Sequence, residues 1–245
     1  MIFELIKKIL KQFLFRFLYI KILSIKKNIY KNISSPEKIV LDTLYNSKGI
    51  IHIGAHRGSE RYIYDWLGKN VVWVEANPKI FYDLHINISE FKYQKAFNYL
   101  LHSSVGKKIN FYLSTNDGAS SSIYEFSKDF REKKIHFENK LRNIDMNNKV
   151  MLITNTLDNL IAEHKVEINE FDHLVIDVQG AELDVLKGSI NFLNKCKTVY
   201  IEVSTENFYQ NGSNWDDVKS FLNKHNFKEL RGPIKNHDNI VFLKV

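Results

Sequence analysis

Asp177 ends the apolar run HLVID (173–177), and Glu202 lies near the end of TVYIEV (198–203), where buried strands would deliver carboxylates to their carboxyl edge. A carboxylate so placed can take the proton of a weakly acidic hydroxyl as a new bond forms to its oxygen. The same pair can instead hold a divalent cation through hard oxygen ligands. No metal-ligand spacing demands a metal, so the cation is the lesser alternative, and Asp177 is the leading base with Glu202 as helper. His56, in the turn GAHRG (54–58), is a third base candidate, although a histidine in such a turn more often shapes it. Glu182 falls in the first turn of a helix, where the dipole favours an acid, and reads first as a cap.

The stretch GIIHIGAHRGSE (49–60) places Gly54 and Gly58 after an apolar run. A tight turn needs residues without a β-carbon, and so does a backbone pressed against a ligand. Glu75 follows Gly54 by 21 residues and closes the next apolar run, NVVWVE (70–75). That is close to the ~20-residue offset at which an acid reaches the ribose hydroxyls of a bound nucleotide. A dinucleotide is disfavoured, because G-x-G-x-x-G is missing, as is a phosphate-binding G-x-x-x-x-G-K-[ST] loop. Tyr124 and Lys128 fit the Tyr-x-x-x-Lys pair of a reductase, but among 12 tyrosines in a lysine-rich chain one such match is expected by chance.

These residues need elements to carry them. Helices are expected at about 36–46, 59–67, 78–90, 156–164, 181–194 and 214–226. Strands are expected at 49–53, 70–75, 93–98, 107–114, 150–153, 173–178 and 198–204, with 116–122 a loop and 123–148 a charged, helical insertion. The end, FKELRGPIKNHDNIVFLKV, reads as two strands joined by a Gly-Pro turn. Continuous apolar strands between helices indicate an α/β fold with a mostly parallel sheet covered on both faces. Ligands of such sheets lie beyond the carboxyl ends of the strands.

Composition narrows the class. The 245 residues are 44% hydrophobic and 26% charged, ordinary for a globular protein, and the single cysteine, Cys196, excludes an intramolecular disulfide. The net charge of +7 resides in residues 1–31, which hold eight basic side chains and one acid; the remainder carries 27 of each sign. A nucleic-acid partner is therefore not expected, since the fold carries no basic excess. Residues 1–31 have apolar side chains at helical spacing, interrupted too often by charge for a membrane span. They fit a basic amphipathic helix lying on an anionic membrane, or one packed on its own domain or a second subunit in a homo-oligomer. NISSPE (32–37) breaks that segment, giving a helical region 1–35 and a domain 36–245.

The segments IHIGAHRGSE, VVWVEANPKIFYDLHINI, NDGASSSI, TNTLDNLI, LVIDVQGAELDVLKG and VYIEVS, in that order, resemble the FkbM family of S-adenosylmethionine-dependent methyltransferases. The resemblance spans roughly 49–245. It implies the Rossmann-like class I methyltransferase fold, a seven-stranded mostly parallel sheet whose C-terminal hairpin is antiparallel. It also implies O-methylation, often of a sugar hydroxyl in a glycan or glycoconjugate, with S-adenosylmethionine as cofactor; the lone cysteine and the basic segment 1–31 point separately to a cytoplasmic protein peripheral on the membrane's inner face. By position, Gly54, Ala55, His56 and Gly58 would hold the methionine part and Glu75 the ribose. Ala76 and Asn77 would flank the adenosine, with Ala96 near the adenine. Ser121 and Ser122 would edge the pocket, and Asp177, Val178 and Gln179 would face the methyl group. The family commonly has D-V-E-G-A-E, whereas this chain has Gln179 in place of the first glutamate. An amide positions but cannot act as a base, so a membrane-attached scaffold with impaired activity is the competing reading.

Overall fold

The apolar runs pair side by side because each is hydrophobic on both faces and must be covered twice. The computed structural model describes residues 35–131 and 144–245, and Thr43–Val245 is a compact unit of its own. The strands are β1 (Gly49–Ile53), β2 (Asn70–Glu75), β3 (Gln94–Asn98), β4 (Leu100–Leu101), β5 (Lys108–Leu113), β6 (Asn148–Asn155), β7 (His173–Ile176), β8 (Thr198–Ser204), β9 (Phe227–Glu229) and β10 (His237–Lys244). The helices are α1 (Ser35–Asn46), α2 (Arg61–Trp66), α3 (Pro78–Ile88), α4 (Leu157–Glu163), α5 (Glu182–Lys187), α6 (Ile190–Lys195) and α7 (Trp215–Lys224).

Seven strands form one sheet in the order β3-β2-β1-β7-β8-β10-β9. All run parallel except β10, which is antiparallel to both β8 and β9. This is the Rossmann-like methyltransferase architecture with its C-terminal hairpin. The chain winds outward from β1 to β3, then returns to place β7 on the other side of β1. Between β1 and β7 lies the switch point, where the crevice of such sheets opens. A small sheet, β4-β6-β5, stands beside it.

Side-chain chemistry sets the helix ends. Asn77 accepts from Lys79 N ahead of Pro78, and Asn214 and Asp217 form a reciprocal capping box on α7. The helix expected over 181–194 is broken at Gly188 and Ser189. A β-carbon on Gly188 would stand 2.1 Å from the His102 carbonyl, and Asp158 caps the fresh start by accepting from Asn191 N and Phe192 N. The strand expected at 150–153 extends over Asn148–Asn155. Of the 123–148 insertion, residues 128–131 are helical and 144–147 irregular. The rest of it, and the amphipathic helix expected over 1–31, lie outside the described residues. No described helix is long and apolar enough to cross a membrane.

Two histidines lie on one face of the central strands, His52 on β1 and His173 on β7. Tyr64 Oη stands 3.2 Å from His52 Nδ1, and the ring stacks on Trp73 at 4.9 Å. Neither nitrogen of the fully buried His173 has a hydrogen-bond partner among the described residues. Burial, with repulsion from His173, lowers His52 to about 3. Burial lowers His173 to about 4, against the pull of Asp172. Unfolded, both protonate near 6.5, so the unfolded state binds more protons below that pH and stability falls as pH drops from 6.5 toward 4 and 3. His173→Leu is expected to melt no lower than the natural protein at about pH 7, and to lose less Tm on acidification to about pH 5. Thermal melts at the two pH values check this.

Candidate functional site

Gly54 leaves β1 with φ +78°, and its N–H and that of Ala55 both donate to the Val74 carbonyl on β2. A β-carbon here would stand 1.7 Å from the Asp177 carbonyl oxygen, so the glycine is required by the approach of the β7 end. The turn then passes through His56 at φ +47°. His56 N donates to Glu75 Oε2 and Asn77 N to Glu75 Oε1, each at 2.8 Å. One buried carboxylate thus ties the β1 turn to the β2 turn. Burial lifts the Glu75 pKa, and those backbone donors hold it back.

Above this floor lies a cavity of about 270 Å³. Glu75, Ser121 and Asp177 line it together with His56, Glu60 and Gln179, while Leu100, Leu101, Phe111 and Ile123 form an apolar wall. Gly118 and Ala119, from the loop between β5 and β6, also line it. Arg57 secures that loop. Its guanidinium grips both oxygens of Asp117, one at 3.0 Å, and donates through Nε to Asp83 of α3 at 2.9 Å. His56 Nε2 lies 3.0 Å from the Asp117 carbonyl.

At the β7 end the chain exits through Gln179 at φ +56° and Gly180 at φ +97°. The Glu182 carboxylate accepts from Val178 N and Gly180 N, and Ser213 Oγ donates to it. Its role is therefore to hold the loop, and burial raises its pKa to about 7. Gln179 Nε2 donates to Asp177 Oδ1 at 2.7 Å and to Glu202 Oε2 at 2.5 Å. Tyr209 Oη donates to Gln179 Oε1 at 2.6 Å, which fixes the amide so that its nitrogen faces the acids. Burial and the neighbouring Glu202 push Asp177 well above the usual carboxylate range. Burial opposes ionisation of Glu202 as well, but hydrogen bonds from His237, Asp177 and Gln179 prevail and lower it. Each acid shifts the ionisation of the other, Asp177 upward and Glu202 downward.

Gly54, Ala55, His56, Glu75, Ala76, Ser121, Asp177, Val178 and Gln179 line the cavity; Gly58, Asn77, Ala96 and Ser122 do not. Gly58 faces inward, where a β-carbon would meet Leu84 at 2.8 Å. Asn77 caps α3. Ala96 lies within β3 opposite Trp73, and the residues beyond that strand, Tyr99 and Leu100, reach the cavity in its place. Ser122 is buried and donates to the Gln179 carbonyl at 2.7 Å. Glu202 stands behind Gln179 and lines a second, much smaller cleft with His237. Arg57, Tyr99, Tyr209 and His237 were not singled out in the sequence, since each acquires its place through distant partners.

A model of the methyltransferase FkbM domain matches residues 52–229. The chain belongs to the FkbM methyltransferase family. It is 24% identical over 190 residues to the 2-O-methyltransferase NoeI of Sinorhizobium fredii, covering 77% of this chain and 72% of that protein. Among solved structures it is similar to a methyltransferase FkbM from Methylobacillus flagellatus, with 11% identity and a TM-score of 0.48. That match covers 80% of this chain but 43% of the other. It is also similar to the magnesium protoporphyrin IX methyltransferase of Synechocystis bound to S-adenosylhomocysteine, with 8% identity and a TM-score of 0.46 over 85% of this chain and 79% of that one.

The site's donor set fits the family's methyl donor: a carboxylate at the β2 end for a vicinal diol, an apolar wall for a base, and acids near a sulfonium. Among the described residues no group of three or more His, Cys, Asp or Glu is arranged to hold a metal ion. Between Asp177 and Glu202, the pair weighed for a cation, the Gln179 N–H group already points. Asp117→Ala frees the loop over the cavity and is expected to weaken S-adenosylmethionine binding several-fold. Calorimetry at low and high salt checks it, and the loss should shrink as salt screens the natural pair.

Proposed function

We propose that this protein is an S-adenosylmethionine-dependent O-methyltransferase acting on a sugar hydroxyl of a glycan or glycoconjugate, through the domain 36–245. The observation carrying this reading is Asp177 at the cavity with Glu202 behind it and the Gln179 amide donating to both acids. The relative named a 2-O-methyltransferase supports the choice of oxygen as acceptor atom. S-adenosylmethionine, when bound, supplies a methyl group on a positively charged sulfur. Glu75 receives the ribose hydroxyls, its carboxylate held in place by the His56 and Asn77 amides. Leu100, Leu101 and Phe111 flank the adenine. His56, Ala55 and Gly54 shape the turn that receives the methionine end.

Displacement at the methyl carbon demands alignment more than any other service, and the fixed floor at Gly54 and Asp177 provides it. The acid pair carries a single negative charge, which can take the proton the hydroxyl releases. Gln179 suits this role where a glutamate would bring a third buried negative charge. Its exchange for glutamate therefore does not support the impaired-scaffold reading.

Glu75→Ala is expected to weaken S-adenosylmethionine binding at least about tenfold, by loss of charge-assisted hydrogen bonds. Asp177→Asn should keep binding and lose transfer of labelled methyl to a cell-envelope glycan extract. Undiminished transfer would hand the base role to Glu202 or His56. We further propose that residues 1–31 attach the enzyme peripherally to the inner, anionic face of the membrane. The triple change Lys7→Glu, Lys8→Glu, Lys11→Glu should then abolish cosedimentation with anionic vesicles. Persistent binding, or none by the natural protein, would favour packing on a second subunit.

A further inference from the structure

Behind Gln179, on the side away from the cofactor cavity, His237 of β10 reaches Glu202 of β8. Its Nε2 lies 2.9 Å from Glu202 Oε2, and its Nδ1 lies 2.6 Å from Ser204 Oγ. The Phe208 ring packs edge-on to it at 5.3 Å. Exposure rises along this path, from 15% for the Glu202 side chain to 36% for that of His237. Both line a cleft of about 10 Å³, which is room for about one water. A cleft of that size admits solvent and is far too small for a sugar ring.

We propose that Glu202 and His237 form an exit path that carries the acceptor's proton from Asp177 to solvent. The proposal rests on the hydroxyl-methylation reading above. Methylation makes one C–O bond, breaks one S–C bond and releases one proton from the hydroxyl. Asp177 takes that proton and passes one on to Glu202, whose Oε2 shares the Gln179 amide with Asp177 Oδ1. His237 then exchanges the surplus proton with solvent through Nδ1 and the Ser204 hydroxyl, so one proton enters and one leaves. That hydroxyl both donates and accepts, so its contact survives either charge state of the ring. Gln179 cannot carry the proton, and its amide keeps the two acids in line.

The groups facing His237 agree with an exchanging ring. Glu202 lies on β8, Glu182 opens α5, and Asp177 directly follows β7. Glu206, in the loop after β8, accepts from Asn236 beside the ring. Burial works against protonation of His237, but the hydrogen bond and charge of Glu202, with Glu182, outweigh it and raise its pKa. His237 acts through Glu202 without touching the reacting atoms, which makes it a positioning residue.

The test uses the full chain with ring-labelled histidines. By NMR, His237 should titrate above the ordinary histidine range, and Glu202→Gln should lower that midpoint. A ring that stays in one charge state across about pH 5–9 cannot exchange protons and overturns the proposal even if no variant folds. In transfer of labelled methyl to the envelope-glycan extract, His237→Gln should lower kcat on the order of tenfold, below the ~10²-fold of a group that takes the proton itself. KM for S-adenosylmethionine should stay unchanged, and added imidazole should restore the rate. An unchanged kcat, or a loss that imidazole does not relieve, overturns the exit path alone. If the natural protein labels nothing in the extract, the hydroxyl-methylation reading fails and the exit path falls with it.

Discussion

A carbonyl oxygen of Asp177 occupies the space in which any side chain at position 54 would stand. That contact joins the ends of β1 and β7 at the sheet's switch point, and the rest of the site depends on it. Were the two strand ends forced apart, Asp177 would leave the cavity floor. The glycine is therefore explained by the protein's own backbone. The cavity exists because two strands that are neighbours in space, though far apart in sequence, terminate against each other.

Around that contact the molecule buries several carboxylates and manages them without a matching set of cations. Glu75 is held by two backbone amides, Glu182 by two amides and a hydroxyl, and the Asp177–Glu202 pair by one side-chain amide and one imidazole. Hydrogen bonds aimed at a carboxylate compensate its lost hydration. Arg57, next to the β1 turn, serves instead to tether the covering loop.

Much of this was legible from residue types alone. β1, β2 and β8 fall on the expected segments, because an apolar run bounded by glycine or polar residues has few other ways to be buried. The acids at strand ends were legible for the same reason: the strand fixes where its last residue points. Gly58, Asn77, Ala96 and Ser122, expected around the cofactor, do not line the cavity. In each case the position next to a motif was right while the side chain served packing, capping or loop anchoring. The helix expected over 181–194 breaks at Gly188 because of His102 and Asp158, neither of which is near it in sequence.

The sequence by itself determined which segments become strands, where the chain must turn on glycine, and which acids stand at the sheet's edge. Those follow from hydrophobic periodicity and backbone sterics, which act over a few residues. Only the tertiary structure decided that Arg57 would meet Asp117, that Gln179 would lie between two acids, and that His237 would reach Glu202. Those pairings are set by strand order and by the register of β10 on β8. No local property of a histidine near the chain's end specifies which carboxylate the folded sheet will bring beside it.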